Sequence, residues 1–381
     1  MTSISLFAPA RVGALDLKNR IAMAPMTRSR GTDERVPKPV VAQYYAQRSG
    51  AGLIVSEGVG ISPGSFGFPN VPGIFSDAQV QGWRGVTDCL RGTGTRFFMQ
   101  LWHVGRVSHP DNLPPGVQPC APSALAAGRD VVTRNGPRPA SLPHALETDE
   151  VWAVVRDYAQ AARRAIEAGC DGVEIHAANG YLPAQFLHES TNLRTDEWGG
   201  SIEKRARFTV EVARACAQAV GPDRVGVRLS PFSAFNGASS ADEPAVYEQL
   251  LAQLAPLGLA YLHVVTMEVA GHMTRQADAA GEPDVVGFAR QRWPGVLIAA
   301  GGYDRAKAEH DLNAGRADVV AFGRDYVGNP DLPERLAHGW PLVERRMADW
   351  YGPDAKGYTD YRSYAATSAT DAATEVAQES K

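Results

Sequence analysis

The chain reads as a single parallel (β/α)8 barrel of 381 residues. Three observations predict it. Apolar, strand-like runs alternate strictly with helix-period patterns, eight of each, which is the mark of repeated β–α units. No G-x-G-x-x-G turn follows the first strand, which weighs against a doubly wound sheet. Polar residues stand at the carboxyl ends of the strand runs, where a parallel barrel carries its chemistry.

In chain order, the predicted strands are 21–26 (IAMAPM), 52–58 (GLIVSEG), 96–101 (RFFMQL) and 172–176, then 224–230 (RVGVRLS), 259–265 (LAYLHVV), 296–301 (VLIAAG) and 317–323 (ADVVAFG). The predicted helices fall near 38–49, 78–91, 149–168, 203–219, 243–256, 285–292, 304–313 and 331–338. Ahead of the first strand, residues 6–20 read as a small hairpin with Gly13 at its turn. Residues 104–148, rich in Pro, Gly and Ser, form an insertion after the third strand. Structureless loops of that length are usually functional or disordered, and this one is placed to be a lid or substrate-binding subdomain. The barrel domain spans 1–364, and the small, polar tail from Ala365 is expected to be disordered. Residues 266–284 carry no readable motif.

Composition excludes several classes. An apolar content of 44% fits a globular protein, and a net charge of −4 with interspersed signs suggests neither nucleic acid nor a membrane surface. Cys89, Cys120, Cys170 and Cys216 lack C-x-x-C spacing, which argues against structural zinc or an iron–sulfur cluster and fits a reducing, cytoplasmic setting. No metal site is expected. The N-terminus shows no signal-peptide core, and no run reaches membrane-spanning length.

Residues 172–208 carry the strongest local signal. The run Gly172–Ile175 stops at His176, Asn179 and Tyr181. His and Asn so spaced can aim two donors at one oxygen, an electrophilic site in outline, and Tyr181 can carry a proton nearby. Taken alone, such a His and Tyr would more often be an ordinary polar loop. The pattern, however, runs on as H-x-x-N-G-Y-L-x-x-Q-F-L, N-x-R-x-D-x-x-G-G-S and R-x-R-F. It closely resembles the signature of the Old Yellow Enzyme family of FMN-dependent ene-reductases, with further matches from residue 21 to about 361. Trp198 and Lys204 depart from it, where many members carry Tyr and Asn, but neither is expected at the substrate. By the same analogy, the hairpin would cover the barrel's open bottom.

Phosphate binding is legible at two strand ends. Ala300-Gly301-Gly302 follow the seventh strand and Gly323-Arg324 the eighth, the loops where barrels commonly hold phosphate. Each Gly pair alone reads as a turn; the two together favour a phosphate cradle, although not yet a flavin. The resemblance implies that FMN binds non-covalently, with Pro25, Met26, Thr27, Gly58, Gln100, His176 and Arg228 along its ring. Without it, Arg228 reads equally as a buried ion-pair partner. The resemblance further implies a ping-pong hydride transfer from NADPH or NADH to an α,β-unsaturated carbonyl compound or nitroalkene. His176 and Asn179 would grip the electron-poor oxygen, and Tyr181 would protonate the α-carbon. Phe68, Trp102 and Tyr351 are expected in the substrate pocket or, for the first two, in ordinary core. Monomer and homodimer stay open. The competing class is a flavin-free aldolase or isomerase acting on a phosphorylated substrate. It wants a Lys or Glu at a strand end, and only Glu57 and Glu174 stand there.

Overall fold

The computed structural model describes residues 4–270, 273–274 and 282–366. Eight parallel strands close into a barrel: β1 (Ile21–Met23), β2 (Leu53–Gly60), β3 (Arg96–Trp102), β4 (Gly172–Ala177), β5 (Val225–Leu229), β6 (Tyr261–Val265), β7 (Leu297–Ala300) and β8 (Val319–Phe322), the last pairing with the first. The outer helices are α1 (Pro39–Ala46), α2 (Asp77–Leu90), α3 (Thr148–Glu167), α4 (Ile202–Val220), α5 (Glu243–Leu254), α6 (Val285–Arg292), α7 (Arg305–Asn313) and α8 (Leu332–His338). Each helix turns an apolar face inward, as α3 does with Val151, Val154, Val155, Tyr158 and Ala162.

Most predicted boundaries move by one to three residues. Two shifts have clear causes. β1 ends at Met23 rather than Met26: Ala24 still donates to the Phe322 carbonyl at 2.9 Å, but Pro25 has no N–H to continue the ladder. β2 runs on to Gly60 because a bulge between Val55 and Gly58 shifts its register against β3. The Ser56 hydroxyl enters the gap and accepts the Gln100 N–H at 3.0 Å.

Ala10–Val12 and Leu15–Leu17 form the hairpin, with Gly13 at φ +55°. A Cβ there would stand 2.2 Å from the Asp223 carbonyl oxygen, so the turn needs glycine for both space and conformation. Val12 and Leu17 pack with Leu53, Phe98, Ile298 and Val319 in the barrel interior. The hairpin therefore plugs the end opposite the strands' carboxyl termini.

The 104–148 insertion is not structureless. Cys120–Ala121 pairs in parallel with His144–Ala145, and Asp130–Thr133 forms an antiparallel hairpin with Gly136–Pro139. Two short helices, Leu182–Leu187 and Arg324–Gly328, were not anticipated. After α8 the chain returns as a strap over the strand ends, and buried arginines hold it. Arg28 donates to the carbonyls of Trp350 (3.2 Å) and Gly357 (2.6 Å), and Arg30 to that of Trp350 (2.6 Å). The expected disordered tail lies, beyond Ala366, outside the described residues. Among the described residues no helix is long and apolar enough to cross a membrane.

Candidate active site

Two cavities open at the carboxyl ends of the strands. The larger is ≈ 620 Å³ and the smaller ≈ 240 Å³; Pro25, Met26, Arg228, Val265 and Trp350 line both. The larger takes Thr27, Phe68, Gln100, Trp102, His176, Asn179, Tyr181 and Tyr351 from the sequence reading. The smaller takes Ala300, Gly301, Gly302, Gly323 and Arg324. Gly58 alone lines neither. A Cβ at Gly58 would lie 2.4 Å from Trp102 Cε3, so what this glycine provides is room for the indole.

His176, next to last in β4, stands beside Arg228 of β5, its register partner. Its Nδ1 accepts the Ala178 N–H at 3.4 Å, which leaves Nε2–H as the donor of a neutral ring. Burial, then Arg228 and His263, hold its pKa well below the ordinary value. Asn179 is left-handed, at φ +58°, a conformation Asn tolerates. Its N–H donates to Ser230 Oγ at 2.7 Å and its carbonyl accepts from Asn236 Nδ2 at 2.8 Å, while Oδ1 is buried without a partner. The backbone is thus pinned on both sides and the amide is left unengaged. Tyr181 packs edge-on against Trp102 (4.9 Å between centroids) and His176 (5.1 Å). Burial raises its phenol pKa, so it keeps its proton. Phe68 stacks on Trp102 at 5.7 Å and completes an aromatic wall.

Beneath these groups lies a polar network. Glu174 accepts from Gln100 Nε2 (2.8 Å), the Tyr261 hydroxyl (3.1 Å) and His263 Nδ1 (2.8 Å). Burial opposes its charge, but His263, Arg228 and Gln100 bring its pKa below the ordinary value. Gly226 makes the arrangement possible, since a Cβ there would stand 2.3 Å from the Tyr261 ring. Arg228 Nε is buried without a partner.

The chain matches the model of the NADH:flavin oxidoreductase / NADH oxidase family over residues 5–342. It belongs to this family. It is 45% identical to a chanoclavine-I aldehyde reductase of Penicillium roqueforti, over 93% of this chain and 95% of that one. It is 41% identical to 12-oxophytodienoate reductase 1 of Oryza sativa subsp. japonica, over 94% and 93%. Among solved structures, the old yellow enzyme homologue from Zymomonas mobilis aligns with a TM-score of 0.90 at 41% identity, covering 94% of this chain and 99% of that chain. Morphinone reductase in complex with tetrahydroNAD aligns at 0.88 with 46% identity, covering 94% and 97%. The chain is an Old Yellow Enzyme, an FMN-dependent alkene reductase driven by a nicotinamide.

The residues present fit that cofactor. Gly301 and Gly302 have φ of +113° and +61°, exposing backbone N–H groups to the small cavity where a phosphate can approach closely. Arg324 stands on the same wall. Arg228, whose buried Nε has no hydrogen-bond partner, lines both cavities, where a planar, electron-accepting ring needs a cation.

Several lining residues escaped the sequence reading. Asn236 sits at φ +60° in the β5–α5 loop and accepts from Arg129 Nη1 at 2.6 Å. Both line the larger cavity, with Asp130, Val131 and Val132 of the insertion. The Asn236-Gly237 turn signal was available; for Arg129 there was none. Trp198 and Lys204, the two departures from the family pattern, line neither cavity.

Proposed function

We propose that His176, Asn179 and Tyr181 perform the alkene half of the reaction on α,β-unsaturated carbonyl compounds and nitroalkenes. FMN held there would supply a hydride relay from NADPH or NADH to the alkene β-carbon. Pro25, Met26, Thr27, Gln100 and Arg228 would hold the ring, and Ala300, Gly301, Gly302, Gly323 and Arg324 the phosphate. His176 Nε2–H and the Asn179 amide donate to the carbonyl or nitro oxygen and stabilise the negative charge that develops on it. Tyr181 gives its proton to the α-carbon. The aromatic wall of Phe68 and Trp102, with Tyr351 at the rim, excludes water and orients the substrate. Nicotinamide and alkene share one cavity, which makes turnover ping-pong.

The observation that carries this reading is the convergence of a neutral imidazole, a half-buried amide with no side-chain partner at its Oδ1 and a protonated phenol on one apolar-walled cavity. Burial of Glu57 and Glu174 inside hydrogen-bonded networks weighs against either as the base of an aldolase or isomerase. We read 1–364 as one FMN-binding domain and 104–148 as its lid, supported by five insertion residues, Val107 and Arg129 to Val132, in the cavity wall. The four free cysteines support a reducing, cytoplasmic setting. A crystal soaked with p-hydroxybenzaldehyde tests the assignment. The phenolate oxygen is expected between His176 and Asn179; a ligand oxygen held elsewhere would refute it.

A further inference from the structure

We propose that Arg345, on the strap that follows α8, is a second phosphate-gripping arginine, and that cofactor binding thereby fastens the strap over the active site. The inference rests on the FMN reading above. Arg345 lines the smaller cavity together with the glycine loops and Arg324, but from a separate part of the chain.

Its placement is fixed from both sides. Just before it, Val343 is clamped by the Asn329 side chain: the Val343 N–H donates to Oδ1 at 2.8 Å and its carbonyl accepts from Nδ2 at 3.2 Å. Just after it, the Arg346 N–H donates to the Tyr361 hydroxyl at 2.8 Å, and the Arg346 guanidinium pairs with Asp360 at 2.6 Å and Asp349 at 3.2 Å. Arg345 itself keeps a buried Nε without a partner, and its guanidinium lies 5.8 Å from the Trp350 ring, which walls both cavities.

Charge points the same way. Burial, and then Arg345, pull the Arg324 guanidinium below its ordinary pKa; two like charges share one small cavity. Asp325 is the carboxylate on that wall, and burial holds its pKa above the ordinary value despite both arginines. A phosphate monoester, at roughly −1.5 to −2 near neutral pH, matches two cations better than either arginine alone would require.

The strap also carries Met347, Trp350, Tyr351, Gly352 and Pro353 into the wall of the larger cavity. An anion gripped by Arg345 therefore stabilises the segment that closes the substrate site, and the coupling is reciprocal.

The test uses the full chain stripped of flavin, with FMN and riboflavin as probes, in the native protein, Arg345→Gln and Arg345→Lys. Fluorescence titration gives the affinities, and amide hydrogen exchange reads residues 343–353. Arg345→Gln is expected to weaken FMN by about 10- to 100-fold, the worth of one charged hydrogen bond, and to leave riboflavin binding unchanged. Arg345→Lys is expected to recover part of the loss. FMN should protect the strap more than riboflavin does, and only when residue 345 is basic. Unchanged FMN affinity, or equal loss for both flavins, would overturn the proposal. A native chain that binds neither flavin would instead sink the reading on which it rests.

Discussion

Gln100 and Glu174 face each other in register across β3 and β4, and the Gln100 amide donates to Glu174 Oε1 at 2.8 Å. This contact engages the amide nitrogen of Gln100, which also lines the larger cavity. It also completes a set of three donors around a fully buried carboxylate. Glu174→Ala is expected to lower stability by about 3–5 kcal/mol, because three buried donors lose the carboxylate they share. Urea unfolding of the two proteins reads the difference; a midpoint that stays in place would show that the network carries little.

The protonation states give a pH prediction. The His176 pKa is lowered, so the ring is neutral well below its usual titration near pH 6.5; the Tyr181 pKa is raised, so the phenol stays loaded past its usual value near 10. Neither group changes charge in between. The alkene-reduction step, followed by stopped-flow, is expected to be flat from about pH 6 to 9. A limb near pH 6.5 that vanishes in His176→Gln would contradict this.

Tyr181→Phe removes the proposed proton donor and keeps the aromatic packing against Trp102 and His176. It is expected to slow alkene reduction by about 10²-fold or more and leave reduction of the bound flavin by nicotinamide nearly unchanged. Equal slowing of both half-reactions would refute the assignment.

Gly58→Ala forces Trp102 to move, since the new Cβ would meet Cε3 at 2.4 Å and Cδ2 at 2.7 Å. The indole is confined by Phe68, Tyr181 and His176. A loss of about 1–3 kcal/mol is expected, with a raised KM for the alkene. Adding Trp102→Leu should return part of the stability; if it returns none, the clash is not the cause.

What the sequence made legible was local. A strand's apolar run and the polar residues at its end lie within a few positions, so His176, Asn179 and Tyr181 could be read from one stretch, and the glycine loops after β7 and β8 from two. What it hid was long-range. Glu174 meets Gln100 and His263 only after the barrel closes. Arg28 and Arg30 find their acceptors some three hundred residues on, in the strap. The constraint on Gly58 set by the Trp102 indole of the next strand likewise shows only in the fold. The insertion's strands are two to four residues long, and one of them, Gly136–Pro139, contains two prolines; they are too short to show a period.

The central claim is that FMN lies across the joined cavities and serves nicotinamide and alkene in turn. An anaerobic absorbance titration of the purified protein tests it most directly. The expected result is a yellow chromophore, released as free FMN on denaturation, that bleaches with NADPH or NADH and returns when 2-cyclohexenone is added. A colourless protein that takes up no FMN when it is supplied would contradict the account.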